Sequence, residues 1–451
     1  MNALRILINS YGSRAEEIGP IHGEELQVRV ATGKPVRVLM IVENFPYMSD
    51  PRVRNESRTL AANGYKVSVI CPAKGREPWH EVAEGVSIYR FWHPHFGGHV
   101  IEYSYALLAI AALSLLVLVR EGFDVVHVAN PPDCLVPLCA IYRILGKLII
   151  YDQHDLCPEL YVAKFGENRF ICRLLFWLEK LSYHLADHVI IPNESYKEVA
   201  LQRGGLPQSK LTVVRNGPQP KTVSTKEIDT ELRKKASTII AYAGVIASQD
   251  GVDYLCRALQ YLRHILAQED FYCVVIGDGA ALQNMKELSR EIQVDEKICF
   301  AGWVSDPQLY ARYLSTADIC VAPEPANDYN NRSTFVKILE YMALGKPIVA
   351  FDLPETRHSA EGAALYARPN DAQDFAKKLS TLIANPRLRQ SMGESGRLRV
   401  NSQMAWKYSA PNLLGVYDKI LGRSRKAVSC RFREAPCEQA DSTPASTSAR
   451  N

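Results

Sequence analysis

The chain is 451 residues long, 47% apolar and 23% charged, with a formal net charge of +4. That length exceeds one ordinary hydrophobic core and points to two domains of about 150–200 residues each, in a composition ordinary for a soluble globular protein. Beyond residue 422 there are six Arg/Lys against three Asp/Glu, so the remaining body is near neutral and lacks the basic face of a nucleic-acid-binding protein.

Residues 1–35 precede the first clear strand and yield no reading. Residues 36–44 (VRVLMIVEN) form a buried strand, a helix around 54–63 stops at Gly64, and strands follow at 66–72 and 85–91. Residues 105–119 (YALLAIAALSLLVLV) are a fifteen-residue run, apolar but for Ser114, short of the roughly 20 that span a bilayer. They read as a buried crossover helix, with a helix dipping into a membrane surface as the alternative. Strands at 123–129 and 147–155, a helix at 170–186, and strands at 188–193 and 211–217 complete a first domain, 36–218. The polar run KTVSTKEIDTELRKKAS falls in a linker, 219–237. A second series of strands begins at 238–244, 271–279, 297–304, 318–323 and 346–352, giving a second domain at 238–405. A last helix occupies 406–422, and the tail 423–451 is rich in Ser, Thr, Pro and charge, the composition of disorder. Continuous apolar strands separated by helices mean parallel sheets covered on both faces. The expected fold is therefore α/β, with two tandem doubly wound Rossmann-like domains, and ligands sit at the carboxyl ends of such strands.

The eleven cysteines show no C-x-x-C and no pairing rhythm. Cys71, Cys134, Cys139, Cys273, Cys299 and Cys320 lie in apolar runs, as small buried hydrophobes do, which fits a reducing cytoplasm. The N-terminal MNALRILINSYGSRAEE lacks the apolar core and cleavage site of a secretory signal.

The most informative segment is 333–351, STFVKILEYMALGKPIVAF. Ser333 and Thr334 read as the opening of a helix, Gly345-Lys346-Pro347 as its stop. Phe335, Ile338, Leu339 and Met342 share the core-facing stripe. Lys337 and Glu340 fall on the opposite side one turn apart, in the poorer order for the helix dipole. LEYMALGKPIVA resembles the helix–turn–strand of the retaining family 4 (group 1) glycosyltransferases of GT-B fold, and the likeness extends over roughly residues 36–421. It implies two domains facing across a cleft, with residues 406–422 crossing back onto the first. Glu340 matches the Glu that binds the ribose hydroxyls of a nucleotide-sugar.

The remaining expectations follow from that resemblance. Gly244 and the helix start at Ser333 and Thr334 would meet the donor diphosphate. Many relatives carry G-R-L and K-G clamps there, where this chain has Gly244-Val245-Ile246 and Asp250-Gly251, and the first Glu of E-x7-E falls at Arg332. Either catalysis is lost, or cations have moved, with Arg332 and Lys337 the substitutes; bacterial surface-polysaccharide relatives share the N-x-x-S-T-x-x-K-x-x-E-Y-M-A arrangement seen at Asn330, Ser333, Thr334, Lys337 and Glu340. His154, in YDQHDLCPE, matches a His that contacts the donor sugar or its phosphate. Arg52 and Arg54 are candidates to hold an anionic acceptor such as a polyprenyl diphosphate, or are surface ion pairs; Asp50 either caps the following helix or contacts the acceptor. No metal is expected, since no D-x-D occurs, and no cofactor, the nucleotide-sugar being a substrate. Gly277-Asp278-Gly279 is a poor nicotinamide site, and His184, Asp187 and His188 a poor zinc site. The expected activity is transfer of a sugar to a saccharide or lipid-linked acceptor of a bacterial surface polysaccharide, in the cytoplasm or on the inner membrane face. A nucleotide-sugar epimerase of the same fold and an inert nucleotide-sugar-binding partner are the alternatives.

Overall fold

In a computed structural model of the chain, residues 34–92, 99–218, 227–304 and 306–422 are described. Residues 1–33, the stretch 219–226 of the expected linker and the expected disordered tail lie outside them.

The first sheet comprises β1 (Arg37–Ile41), β2 (Lys66–Pro72), β3 (His80–Ala83), β4 (Val86–Phe91), β5 (Val125–Ala129), β6 (Leu148–Asp152), β7 (His188–Ile191) and β8 (Leu211–Val213). Their order is β3-β4-β2-β1-β5-β6-β7-β8, parallel except for the β3–β4 pair. The second sheet holds β9 (Thr238–Ala243), β10 (Phe271–Ile276), β11 (Ile298–Gly302), β12 (Ile319–Ala322), β13 (Ile348–Phe351) and β14 (Ala364–Ala367), in the order β11-β10-β9-β12-β13-β14. Alternation along each strand feeds two cores. Leu39 and Ile41 enter one face of the first sheet, Val38 and Met40 the other, which is why β1 is an unbroken apolar run. Strand order reverses between β1 and β5 and again between β9 and β12, so each sheet has a switch point where loops splay apart and leave a crevice.

Six helices matter for function. Helix α1 (Pro51–Ala62) starts three residues before the expected position because Asp50 Oδ1 accepts from the amides of Arg52 and Val53, with Pro51 in the first turn. Helix α2 (His99–Arg120) is longer than the apolar run alone implied. Ala106, Ile110, Ser114 and Val117 form its one buried stripe, whereas Leu108, Leu115 and Val119 are exposed, so the expectation of a buried helix holds on that face alone. Among the described residues it is the one helix long and apolar enough to cross a membrane by length and composition. Helices α3 (Cys157–Phe165) and α4 (Arg169–Leu185) follow β6. Helix α5 (Val336–Ala343) follows β12. Helix α6 (Trp406–Ile420) returns to the first sheet, where Trp406, Leu413, Val416 and Tyr417 share a core with Val38, Val53 and Leu60. Trp406 Nε1 donates to Thr59 Oγ1 at 2.8 Å to fix the contact. The edge strand β3 was not anticipated, being four residues long and half polar.

Candidate active site

The carboxyl ends of the two sheets border a cavity of about 500 Å³, lined from the first domain by Asp50, Arg52, His154 and Asp155 and from the second by Gly244, Asp250, Thr334, Lys337 and Glu340. A neighbouring crevice of about 520 Å³ shares Ser49, Trp303, Tyr310, Val336 and Glu340 and adds Arg54, Arg58 and Lys74.

On the first-domain side the chain leaves β6 at Asp152 and turns back at His154. Asn130, buried at the end of β5, holds that turn: its Oδ1 accepts from the His154 amide at 2.6 Å and the Asp155 amide at 3.1 Å, and its Nδ2 donates to Asp155 O at 2.7 Å. The His154 ring meets Asp152, Nε2 to Oδ2 being 2.7 Å. Beneath lies a buried polar group. Arg52 donates to both Asp152 oxygens, at 2.6 and 2.9 Å, and stands 3.3 Å from Glu56. His127 Nε2 lies 3.5 Å from both Asp152 and Glu56, with its Nδ1 2.8 Å from the Tyr417 hydroxyl on α6. Burial opposes ionisation of Asp152, but Arg52 and His154 hold its carboxyl well below the usual range; burial and the Asp152 charge push Glu56 up, and burial pushes His127 down. Glu56, His127 and Asp152 lie within metal-binding distance of one another. The guanidinium of Arg52 already supplies their positive charge, so the donor set does not fit a divalent ion.

On the second-domain side, Glu340 of α5 accepts from the Tyr310 hydroxyl at 2.8 Å, and its carboxyl is raised by burial. Lys337, one turn earlier, is no solvated partner of Glu340. Its Nζ donates to Glu324, in the loop after β12, and to the Tyr242 hydroxyl at 3.0 Å, and it stands 4.3 Å from the Tyr242 ring centre. Burial disfavours the charge on Lys337, yet Glu324, Tyr242 and Asp250 around it hold it protonated. A Cβ on Gly277 would fall 1.8 Å from the Gly244 carbonyl oxygen, and one on Gly244 would fall 2.7 Å from Lys337 Nζ. Gly277 thus lets the loop after β10 pack on the loop after β9, and Gly244 lets that loop lie against Lys337. Asp250, at the position of the missing Lys, has its carboxyl pushed up to about 6 by burial and the Glu324 charge, with Lys337 opposing.

Several expected positions need correction. The helix does not open at Ser333: it starts at Val336 after Phe335, with no side-chain cap, because the Ser333 hydroxyl donates to Tyr329 O at 2.9 Å. Ser333 is buried against Tyr196 of the first domain, whereas Thr334 lines the cavity and accepts from Asn193 Nδ2 at 2.9 Å. Arg332 lies outside the cavity, donating to Asp328 O at 2.7 Å, and so does not stand at the position of the missing diphosphate clamp. Arg52 is 5% exposed and committed to Asp152, Val214 O and Asn216, leaving no free donor face for an acceptor. Arg54 pairs with Glu84 at 3.7 Å and faces the neighbouring crevice. Asp50 caps α1 while lining the cavity. His184, Asp187 and His188 bond separately to Lys180 O, the Ile149 amide and Thr212.

Sequence reasoning missed Asn130, Asp152, Tyr310, Glu324 and Tyr329. Asp152 and Glu324 stand at or just past a strand's carboxyl end, a signal that was available. Tyr329, whose hydroxyl donates to Asp155 Oδ1 at 2.6 Å, belongs to a polar loop with no such mark.

A family model described as Glycosyltransferase Family 4 matches residues 52–220, and one described as Glycosyl transferases group 1 matches residues 237–385. The chain belongs to the family 4, group 1 glycosyltransferases, and its fold is GT-B. It is 23% identical over 377 residues to an uncharacterised glycosyltransferase of Methanocaldococcus jannaschii, covering 79% of this chain and 90% of that protein. It is 25% identical over 315 residues to the MMP α-(1→4)-mannosyltransferase of Mycolicibacterium hassiacum, covering 67% and 72%. Among solved structures it resembles sucrose-phosphate synthase of Thermosynechococcus elongatus, with TM-score 0.70, 18% identity and coverage of 86% and 99%. Anabaena HepE in complex with UDP-glucose gives TM-score 0.65, 15% identity and coverage of 85% and 99%. The chain is thus a glycosyltransferase of glycan biosynthesis.

Proposed function

We propose that this enzyme is a retaining, metal-independent transferase. In this reading it moves a sugar from a nucleoside diphosphate to a saccharide acceptor carried on a polyprenyl diphosphate, during assembly of a bacterial surface polysaccharide. The observation that carries the reading is that Glu340 and His154, from different domains, border the same cavity. An ionised carboxylate only accepts hydrogen bonds and suits a ribose diol. The free amides at the start of α5 and the Gly244 turn suit the diphosphate, the helix end supplying about half a positive charge. Lys337 lies between them, but Glu324 neutralises it, so in this reading the helix end and His154 carry most of the leaving-group charge. The donor is a substrate and no cofactor enters.

The site of action in this reading is the cytoplasmic membrane face. Supporting it, α2 exposes Leu108, Leu115 and Val119, and α4, in the same helix layer, exposes Phe170, Leu174 and Trp177 beside Arg173 and Lys180. Apolar side chains flanked by cations are what an anionic lipid surface binds.

Thermal-shift titration with UDP-, GDP- and ADP-sugars, followed by product analysis with EDTA present, tests the activity. No shift with any nucleotide-sugar, inversion at the anomeric carbon, or loss of turnover in EDTA each refutes the corresponding part. Sedimentation with phosphatidylglycerol vesicles tests the location; a chain left wholly in the supernatant removes it.

A further inference from the structure

We propose that Asp152, which is buried behind the cavity wall, is the positioning residue for His154: it grips the ring at Nε2 and turns Nδ1 toward the bound donor. The inference rests on the reading of His154 as a donor-facing group. An ionised carboxylate can only accept, so the 2.7 Å contact between His154 Nε2 and Asp152 Oδ2 requires the proton on Nε2. Among the described residues Nδ1 then meets no hydrogen-bond partner, while the residue itself lines the cavity. A neutral ring offers an acceptor to a sugar hydroxyl, and a protonated ring offers a donor to phosphate. Asp152 fixes which nitrogen does either.

Three observations separate this role from simple burial of an ion pair. First, Arg52 already satisfies both Asp152 oxygens, so a structural pair would be complete without His154. Second, the backbone of the turn is held independently by Asn130, so the Asp152 contact constrains the ring and not the loop. Third, Asp152 is itself held by partners that are held in turn. Arg52 is tied to Val214 O at 2.7 Å and Asn216 Oδ1 at 2.8 Å, and His127, braced by Tyr417, closes the remaining side. A ring held by a fixed partner is pre-organised, the arrangement by which a neighbouring carboxylate sets the tautomer of a working histidine.

Histidine-selective ¹⁵N labelling of the full chain reads the tautomer directly, with His154 identified by the signals lost in His154→Gln. The expected result is a single Nε2-protonated form in the wild type and a mixture of both tautomers in Asp152→Ala. An Nδ1-protonated His154 in the wild type, or an unchanged single tautomer in Asp152→Ala, overturns the proposal. If Asp152→Ala does not fold because Arg52 loses its counter-charge, the paired variant Asp152→Ala/Arg52→Met carries the same two outcomes. The measurement needs no donor, so failure of the functional reading, seen as absence of nucleotide-sugar binding, is registered separately.

Discussion

Tyr329 of the second domain donates its hydroxyl to Asp155 of the first at 2.6 Å, one residue from His154. Burial pushes the Asp155 carboxyl up, with the Tyr329 hydrogen bond opposing that shift. Asn193 Nδ2 bonds to Arg332 O at 2.7 Å and Ser195 to Glu355 on the same seam. The domains are thus latched by polar contacts beside the cavity. Tyr329→Phe removes a hydrogen bond to a half-buried acceptor at the cavity wall and is expected to cost about 1 kcal/mol. Small-angle scattering should show a larger radius of gyration and melting should come earlier; identical profiles would mean that this bond does not hold the domains together.

Lys337 and Glu324 form a buried ion pair, and removing one member leaves the other charge uncompensated. Lys337→Ala should destabilise the chain by about 3–5 kcal/mol, and Lys337→Met/Glu324→Gln should recover most of that. Urea unfolding of the three proteins measures both effects. A double variant no more stable than Lys337→Ala would show that the pair is not the source of the loss.

Glu340→Gln keeps the shape of the side chain but gives up its charge. Charge-assisted hydrogen bonds contribute about 1.5–3 kcal/mol, so donor affinity should fall roughly ten- to hundredfold. Calorimetric titration with the donor nucleotide reads this, and an unaltered isotherm would rule Glu340 out of ribose binding.

Asp250 sets a pH dependence. Its folded pKa of about 6 lies above the ordinary carboxylate value near 3.9. Below pH ~4 both folded and unfolded chains keep the proton. Between about 4 and 6 the unfolded chain releases it first, so stability falls as pH rises through that window and levels beyond it. Asp250→Asn lacks this loss. Its stability should rise relative to wild type from pH 4 to pH 7 by on the order of 2–3 kcal/mol, read by urea unfolding at each pH. Donor affinity in the wild type should weaken over the same range and stay flat in the variant. Parallel pH profiles for the two proteins would contradict the assignment.

The strands were legible because both faces of each central strand are buried, which makes residues such as 38–42 and 239–243 uniformly apolar. Glu340 was legible because its flanking helix, turn and strand form one contiguous pattern. What stayed hidden depends on distant pairing. Arg52 reads as an exposed loop cation until Asp152, a hundred residues on, is seen to take it into the interior. Ser333 carries an N-cap signature, yet its hydroxyl is taken by Tyr329 O, so the helix starts three residues later without a side-chain cap. Glu324 became the partner of Lys337 only through the fold of the loop between β12 and α5.

Because α6 lines the first sheet with Trp406, Leu413 and Tyr417, the amino-terminal half cannot finish its core when its own strands have been made. During synthesis α6 cannot cover Val38, Val53 and Leu60 until residues 406–420 have left the ribosome. A fragment cut between the sheets should therefore be sticky by itself and become soluble when a peptide carrying residues 406–422 is supplied alongside it.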